Sequence, residues 1–371
     1  MRIAVISTPA IASWGGSEVL WAAMADEALT AGHTVAVSPR RDLYYPPDRL
    51  LALEKRGARV LSKPVPTGRT DGLDQLSHYR QLFDPKPDVV LINNGGGYEE
   101  LFDPSLLDAL DELSAPYVVA CRLINEAGFI KEKDRERAAK FFCSARHVVY
   151  PARVNHITAE RHLAKALPAA VVLHSPANLY AFGFVDWPLE DTVHLASVGR
   201  LEPVQKGQDI LFEALHSSLW RSRNWTLSFY GSGIRQQYLE DLARYYGIKE
   251  RVEFRGIVRD VRSIWEQSHL LVLPSRDEGT PIALIEAMLC GRPSVVTNVG
   301  GNAEWVEDGE TGFISDAPSA RLFEAALERA WQAKSRWPQI GRRAHERASA
   351  LYDKNPGGSL LKLLLECAGE V

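Results

Sequence analysis

The feature that most constrains the fold is a regular alternation of short β-branched segments with longer segments of helical period. In the first half, the predicted strands and the clearest helices are Ile3–Ile6, Thr34–Val37, Val89–Ile92, Tyr117–Ala120 and His147–Tyr150, with helices at Val19–Thr30 and Pro104–Leu113. Gly32 stands where a helix-ending glycine belongs, just before the second strand. This alternation is typical of parallel sheets with helical crossovers, so we predict an α/β protein.

The same alternation restarts in the second half of the chain. The predicted elements there are strands at His194–Val198, Thr226–Tyr230, Val252–Phe254, Leu270–Leu273 and Ser294–Thr297, and helices at Gln208–Leu215, Arg235–Tyr246 and Ile282–Leu289. Between the halves, Leu173–Asp191 contains proline, glycine and aromatic residues without a clear period, which indicates a linker. We therefore predict two doubly wound, Rossmann-like domains, at residues 1–180 and 190–355, that face a central cleft and bind ligands at the carboxyl ends of their strands.

Composition and charge exclude several classes of protein. The hydrophobic fraction is 46% and the formal net charge is −4, which argues against a disordered chain and against a global field for holding nucleic acid. The four cysteines form no Cys-x-x-Cys pair, so we expect neither a zinc site nor a disulfide framework, and hence a reducing, cytoplasmic setting. The apolar run Ile3–Ile6 is too short for a secretory signal, and no stretch is long enough to predict a transmembrane helix.

The strongest motif runs from Leu271 to Pro293, where a buried strand leads through a polar loop into a helix. We expect Thr280 as the N-cap, Pro281 as the first helical residue and Gly291 just past the helix end. The helix start offers N–H groups to an anion, and the nearby carboxylates of Glu278 and Glu286 can accept hydrogen bonds from sugar hydroxyls. The motif thus favours a nucleotide sugar; the alternative is that the two glutamates are an ordinary loop residue and an ordinary helix residue.

A second motif follows the strand His194–Val198. Gly199 permits a tight turn, after which Arg200 and Lys206 can project toward one crevice. Two cations suit a diphosphate and would stabilise its charge as it departs. Solvated loop cations are the alternative interpretation.

Other glycine-rich segments carry less information. Trp14–Glu18, with Gly15 and Gly16, either approaches the phosphates or forms a simple strand-to-helix turn, and Asn93–Gly97 has no P-loop tail. Gly231-Ser232-Gly233 contains two glycines but no further motif residue, so it is weak evidence for a binding site. The chain contains no Asp-x-Asp, His-Glu-x-x-His or Gly-x-Ser-x-Gly motif, so we predict no metal site and no serine-esterase chemistry.

Taken together, Gly15-Gly16, GRLEPVQKG, YGSG, RVEFRGIV and EGTPIALIEAMLCGRPSVVTNVGGNAEWVEDGETGF resemble the GT-B retaining glycosyltransferases of the family-four type, also called glycosyl transferases group 1. Glu278 and Glu286 are separated by seven residues, which is that family's spacing. The resemblance implies that Glu278 contacts the donor hexose and Glu286 the ribose hydroxyls. It also implies that Arg200 and Lys206 hold the diphosphate.

The resemblance implies further site residues and one departure. The remaining donor-binding candidates are Gly15, Gly16, Gly199, Gly231, Arg255, Ile257, Gly279, Thr280, Pro281 and Ile282, with Arg255–Val258 meeting the nucleobase through backbone. The last helix, within 358–371, is implied to return to the N-terminal domain. Where many members carry a His-Asp pair, this chain has Arg122 and Leu123, so Arg122, Asn125 and Asn94 are the acceptor-side candidates.

The sequence therefore predicts a retaining, metal-independent hexosyltransferase without a cofactor, with Glu278, Arg200 and Lys206 as its catalytic residues. The expected donor is a UDP-hexose, or GDP-mannose as the second choice, and the acceptor is a hydroxyl of a glycan, a lipid-linked sugar or a small molecule. A nucleotide-sugar 2-epimerase or hydrolase and a non-catalytic nucleotide-sugar-binding protein are the alternatives. The mixed-charge segment Ile130–Phe142 leaves a peripheral contact with the inner face of the membrane as a further alternative, although mixed charge favours a solvated helix face.

Overall fold

The computed structural model describes residues 1–8, 16–39, 48–61, 72–96, 98, 103–167, 170–179, 181 and 183–369. The chain divides into two compact units: unit 1 comprises Met1–Pro176 and Asp353–Val371, and unit 2 comprises Ala177–Tyr352. The chain enters unit 2 inside the segment predicted as a linker and leaves it after Tyr352. Each unit is built on a parallel sheet flanked by helices, which confirms the predicted α/β class.

Unit 1 has seven strands among its described residues, in the order β3-β2-β1-β4-β5-β6-β7. The strands are β1 Arg2–Ser7, β2 Thr34–Ser38, β3 Arg59–Val60, β4 Val89–Asn94, β5 Tyr117–Cys121, β6 His147–Tyr150 and β7 Ala170–Val172. The helices are α1 Gly16–Thr30, α2 Asp48–Lys55, α3 Gly72–Leu82, α4 Pro104–Leu113, α5 Glu132–Ser144, α6 Arg153–Leu163 and, from the end of the chain, α16 Pro356–Ala368. All six residues of β4 are buried, as expected for a strand covered on both faces.

The last helix, α16, belongs to unit 1 and lies against α1. Its buried Leu360 and Leu364 share a hydrophobic cluster with Trp21 of α1. Gly357 allows the two helices to approach, because a Cβ there would lie 2.7 Å from the carbonyl carbon of Ala23. A segment that follows all of unit 2 in sequence thus completes the core of unit 1.

Unit 2 has six strands among its described residues, in the order β10-β9-β8-β11-β12-β13. The strands are β8 Val193–Val198, β9 Trp225–Tyr230, β10 Val252–Gly256, β11 Leu270–Leu273, β12 Ser294–Thr297 and β13 Phe313–Ser315. The helices are α7 Pro203–Lys206, α8 Gln208–Leu215, α9 Ser218–Arg221, α10 Gln236–Tyr245, α11 Val261–Glu266, α12 Ile282–Leu289, α13 Asn302–Trp305, α14 Ala320–Gln332 and α15 Trp337–Leu351. The strand order reverses between β8 and β11. The carboxyl edge of the sheet at this reversal, with the loops that follow the two strands, is the usual ligand position in an open α/β sheet and is called the crevice below.

The segment considered for membrane contact forms α5, and its side chains are used within unit 1. Arg135 pairs with Glu132 at 2.8 Å and Arg137 pairs with Asp134 at 3.3 Å, so charges along the helix compensate one another. Phe141 and Phe142 are buried in the core at 4% and 1% exposure. They are therefore core residues, not an exposed apolar anchor. Within the described residues, no helix combines the length and the apolar character that crossing a membrane requires.

Candidate functional site

The loop after β8 begins with a close approach of two glycines. The backbone N–H of Gly199 donates to the carbonyl of Tyr230 at the end of β9, over 2.9 Å. Gly231 has φ +135°, and a Cβ there would lie 2.1 Å from the Gly199 carbonyl oxygen. Any larger residue at 231 would push the two loops apart. Gly199 and Gly231, both predicted to bind the donor, therefore shape the backbone at this edge of the sheet.

Arg200 follows this turn and is held by the short helix α7. Its Nη2 donates to Gln205 Oε1 over 2.8 Å, and its carbonyl accepts from Gln208 Nε2 over 2.8 Å. The carbonyl of Gln205 also accepts from the N–H groups of Arg276 and Asp277, in the loop after β11. Gln205 thus connects the Arg200 side chain with the second loop of the crevice.

Lys206 and Glu278 meet at the centre of the crevice. Lys206 is the last residue of α7, and the following Gly207, at φ +63°, has no side chain because a Cβ would lie 2.1 Å from the carbonyl oxygen of Pro274. This contact places α7 directly beside the end of β11. Lys206 Nζ lies 2.7 Å from Glu278 Oε1, so residues from the two predicted motifs form one ion pair.

Glu278 is fixed on several sides and is only 6% exposed. Ser275 Oγ donates to Glu278 Oε1 over 2.7 Å, and Thr297 Oγ1 donates to the carbonyl of Ser275 over 2.6 Å. On the other side, a Cβ on Gly300 would lie 2.0 Å from the Glu278 carbonyl oxygen, so the chain passes tightly there at φ +52°. The loop after β11 is therefore held by the end of β12 and by the loop that follows it.

The start of α12 agrees with the predicted helix bounds, Ile282–Leu289, but its capping residue differs from the prediction by one position. The helix begins at Ile282, and Pro281 occupies the N-cap with an extended backbone, φ −65° and ψ 120°. The assignments of Thr280 as N-cap and Pro281 as first helical residue were therefore wrong. The cause is that the Pro281 carbonyl, rather than that of Thr280, accepts the first helical hydrogen bonds, from Leu284 and Ile285.

The N-terminus of α12 still lies directly after the crevice loop. Gly279 and Pro281 are buried, and Thr280 and Ile282 are half-buried. The helix ends as predicted, with Gly291 at φ +75° just past its last turn. The first N–H groups of an α-helix have no partner within the helix and carry a partial positive charge, so this end favours an anion beside Glu278 and Lys206.

Glu286 lies in the second turn of α12 and is 2% exposed. Its Oε1 accepts two hydrogen bonds from Asn178, one from the backbone N at 2.8 Å and one from Nδ2 at 3.0 Å. Burial raises the pKa of the Glu286 carboxyl, and the hydrogen bonds from Asn178 oppose that shift. The structure thus supplies this carboxylate with a partner that the sequence did not indicate.

The candidates for the nucleobase lie at the end of β10. Arg255 is exposed and pairs with Glu253 of the same strand. Ile257 is 77% exposed. Both therefore present surface at the edge of the unit 2 sheet.

The acceptor-side candidates lie at the carboxyl ends of β4 and β5 in unit 1. Asn94 is fully buried, and its carbonyl accepts from the N–H of Arg122 over 2.9 Å. Asn125 Oδ1 accepts from the N–H of Ala127 over 2.9 Å and so closes its own turn. Gly16 is the first residue of α1, whereas Gly15 and Gly97 lie outside the described residues.

Arg122 has a structural task that the sequence did not reveal. Its Nη1 donates to the carbonyl of Leu173 at 3.3 Å and its Nη2 to Ser175 Oγ at 2.8 Å, and Ser175 Oγ in turn donates to the Gly16 carbonyl at 3.3 Å. Burial lowers the pKa of Arg122 to about 10. Within unit 1 this guanidinium anchors the segment that precedes the crossing into unit 2.

Three residues of the unit 2 site escaped sequence reasoning: Gln205, Ser275 and Asn178. Ser275 is three residues before Glu278, and this short spacing could have predicted a hydrogen bond between the two side chains. Gln205 lies inside GRLEPVQKG but has no charge to attract notice. Asn178 is 108 residues away from Glu286 in the sequence, and no local pattern indicates such a contact.

Known proteins resemble this chain in part of its sequence. Residues 192–333, all within unit 2, match the family described as glycosyl transferases group 1. An uncharacterized glycosyltransferase of Haemophilus influenzae is 35% identical over 123 residues, which are 33% of this chain and 35% of that protein. D-inositol 3-phosphate glycosyltransferase of Gordonia bronchialis is 32% identical over 162 residues, 41% of this chain and 35% of that protein. These curated relatives are thus matched over about a third of their own length.

The resemblance in structure extends over the whole chain. HepE of Anabaena, solved in complex with UDP-glucose, superimposes with a TM-score of 0.77 and covers 99% of both chains at 18% sequence identity. At this identity the likeness concerns the fold, and it confirms the GT-B architecture of two Rossmann-like units.

Proposed function

We propose that this chain transfers a hexosyl group from a nucleoside diphosphate sugar to a hydroxyl acceptor, since its residues 192–333 match the glycosyl transferases group 1 family and the whole chain has the GT-B fold. The observation that carries the proposal is the convergence of Lys206, Glu278 and the start of α12 at the strand-order reversal of unit 2. Such a reversal is the usual ligand position in an open α/β sheet.

In the proposal, the diphosphate of the donor lies against the cationic side chains and the helix start of the crevice. Lys206, Arg200 and the N–H groups at the start of α12 bind the phosphate oxygens, because all three offer positive charge or donors to an anion. Glu278 accepts from a hydroxyl of the hexose, and Glu286 accepts from the ribose hydroxyls. Burial at 6% and 2% exposure makes these two carboxylates stiff, directional acceptors.

The proposed reaction retains the configuration at the anomeric carbon. The bond from that carbon to the diphosphate oxygen breaks, and the acceptor oxygen forms its bond on the same face. The acceptor proton passes to the departing phosphate oxygen, so no protein base is required. The diphosphate gains negative charge as it leaves, and the preorganised cations stabilise that charge. In this proposal Lys206 and Arg200 supply the positive charge, and no metal ion takes part.

UDP-hexose is the first proposed donor and GDP-mannose the second. The likeness to HepE, which was solved with UDP-glucose, supports the first choice. In the proposal the base lies beside the end of β10, near Arg255 and Ile257. A thermal-shift screen of UDP and GDP sugars identifies the donor, since a ligand at a hundred times its Kd stabilises the protein by about 2.7 kcal/mol.

Lys206→Ala tests the proposal, with Lys362→Ala as the matched control. Lys362 is an exposed lysine of α16 that also faces a glutamate, Glu366, at 4.0 Å. Loss of a cation that stabilises the departing diphosphate is expected to lower kcat by about a hundredfold or more. Turnover of donor with a hydroxyl acceptor is followed by NMR, which also reports the anomeric configuration of the product. Wild-type kcat in Lys206→Ala, or an inverted product, would contradict the mechanism.

The same assay without acceptor separates the alternatives. A 2-epimerase or hydrolase converts the donor alone at a catalytic rate, whereas a transferase does so slowly. A non-catalytic binding protein binds the donor and converts it in neither assay.

A further inference from the structure

Asn178 makes two contacts with one oxygen of a buried carboxylate. Its backbone N lies 2.8 Å and its Nδ2 3.0 Å from Glu286 Oε1. Two donors on one oxygen set both the direction and the rotation of the carboxylate plane. Glu286 is 2% exposed, so its orientation is decided by the protein and not by solvent.

The segment around Asn178 is itself anchored within unit 2. The N–H of Ala177, the first residue of the unit, donates to Tyr352 Oη over 2.8 Å, and Tyr352 is the last residue of the unit. On the other side, Leu179 is buried in the cluster that includes Leu284 and Met288 of α12. Asn178 therefore lies between two fixed neighbours and can hold Glu286 without moving itself.

We propose that Asn178 is a positioning residue that aligns Glu286 for the ribose of the nucleotide, an inference that rests on the proposed function. With Oε1 engaged by both donors of Asn178, Oε2 is the oxygen that receives the ribose hydroxyls. Asn178 does not touch the nucleotide itself. Its removal therefore weakens binding only when the ligand has ribose hydroxyls.

The test compares the binding of UDP and 2′,3′-dideoxy-UDP to the wild type and to Asn178→Ala by titration calorimetry. The wild type is expected to bind UDP about tenfold more tightly than the dideoxy compound, the order expected for a hydrogen bond to a charged group. In Asn178→Ala this ratio is expected to fall to about two, with the affinity for the dideoxy compound unchanged. Asn224→Ala is the matched control, since the Asn224 amide also donates one 3.0 Å hydrogen bond in unit 2, to Thr192.

Two further variants distinguish positioning from a general loss of structure. Asn178→Asp places a second carboxylate against Glu286 and is expected to abolish the ratio. Asn178→Ser keeps a side-chain donor at this position and is expected to give a ratio between those of Asn178→Ala and the wild type. These variants also serve if Asn178→Ala does not fold. A merely structural role would lower the affinities for UDP and for the dideoxy compound together in every variant.

The outcomes separate the inference from the proposed function. A wild-type ratio in Asn178→Ala or in Asn178→Asp would overturn the positioning role while donor binding stands. Equal binding of UDP and the dideoxy compound by the wild type would remove the ribose role of Glu286 and the inference with it. If the wild type binds neither UDP nor GDP, the proposed function itself fails.

Discussion

Glu286 occupies a position that is unfavourable for a charge. It is 2% exposed, burial raises its pKa above the ordinary value of 4.5, and the hydrogen bonds that oppose the shift come from a neutral partner, Asn178. Burying a carboxylate costs stability unless charge or hydrogen bonds compensate it. In a site that binds ligand hydroxyls through a carboxylate, this loss of folding stability accompanies the binding function, as at many functional sites.

We predict that Glu286→Gln stabilises the protein at neutral pH. A carboxyl whose folded pKa is raised contributes stability that is fully present below its unfolded pKa and is lost as the pH rises through the folded pKa. Gln keeps an acceptor for Asn178 and carries no charge, so Tm at pH 7 is expected to rise by about 2–4 °C, which corresponds to about 1 kcal/mol for a domain of this size. Calorimetry between pH 5 and 8 checks this.

The gain in Tm should shrink as the pH falls toward 4.5, because the wild-type carboxyl is then protonated too. A variant that is less stable than the wild type at pH 7 would show that the charge of Glu286 is compensated after all.

At the scale of elements, the site depends on loops that hold one another. The loop after β11 carries Glu278. It is fixed by α7 through Gln205, by the last residue of β12, Thr297, and by Gly300 in the loop after β12. Arg276 adds a bidentate ion pair with Asp209 of α8, with both contacts at 2.7 Å. These contacts fix Glu278 before any ligand arrives, which is the condition for electrostatic preorganisation.

We predict that Gly300→Ala disrupts this loop. The new Cβ would lie 2.0 Å from the carbonyl oxygen of Glu278, and the backbone at φ +52° is strained for alanine. Gly309→Ala is the control, because Gly309 has φ +78° but open space around it. The control is expected to lose about 1–2 kcal/mol from the left-handed backbone alone. Gly300→Ala is expected to lose more and to weaken donor binding.

Urea unfolding and nucleotide titration of both variants measure these effects. Equal losses of stability with unchanged donor affinity in both would mean that Gly300 does not support the Glu278 loop.

The sequence predicted elements better than contacts. The bounds of α4, α8, α12, β6, β11 and β12 match their predictions, because each lies in a segment with a clear period and clear end signals. The short edge strands β3, β7 and β13 were not predicted, since two or three residues show no period. Lys206 and Glu278 were assigned to one site, but their direct ion pair depends on the approach of α7 to β11, which only the packing around Gly207 reveals.

The contacts of Arg122 were also not predicted from the sequence. A polar residue at the carboxyl end of β5 was a reasonable acceptor-side candidate, yet its guanidinium is engaged with Leu173 and Ser175. No local sequence pattern around Arg122 indicates hydrogen-bond partners about fifty residues downstream. Burial and hydrogen-bond partners, rather than position at a strand end, reveal the anchoring contacts of this arginine, and its acceptor-side role stays a prediction.

At the scale of the whole molecule, the chain builds two similar units that carry different sets of candidate residues. The match to glycosyl transferases group 1 lies entirely in unit 2, as do the two carboxylates and both cations of the proposed donor site. Unit 1 holds the acceptor-side candidates and is completed by α16 from the far end of the chain. A net charge of −4 is compatible with an anionic ligand because the cations needed are few and local.

In the proposed function, a nucleotide sugar binds at the strand-order reversal of unit 2. Hydrogen exchange of the whole chain, measured by mass spectrometry with and without saturating UDP-glucose or GDP-mannose, tests it most directly. We expect slower exchange in the loops at residues 199–207 and 275–286, with no change in β13 and α14. Unchanged exchange in both loops at saturation, or protection confined to unit 1, would contradict the account.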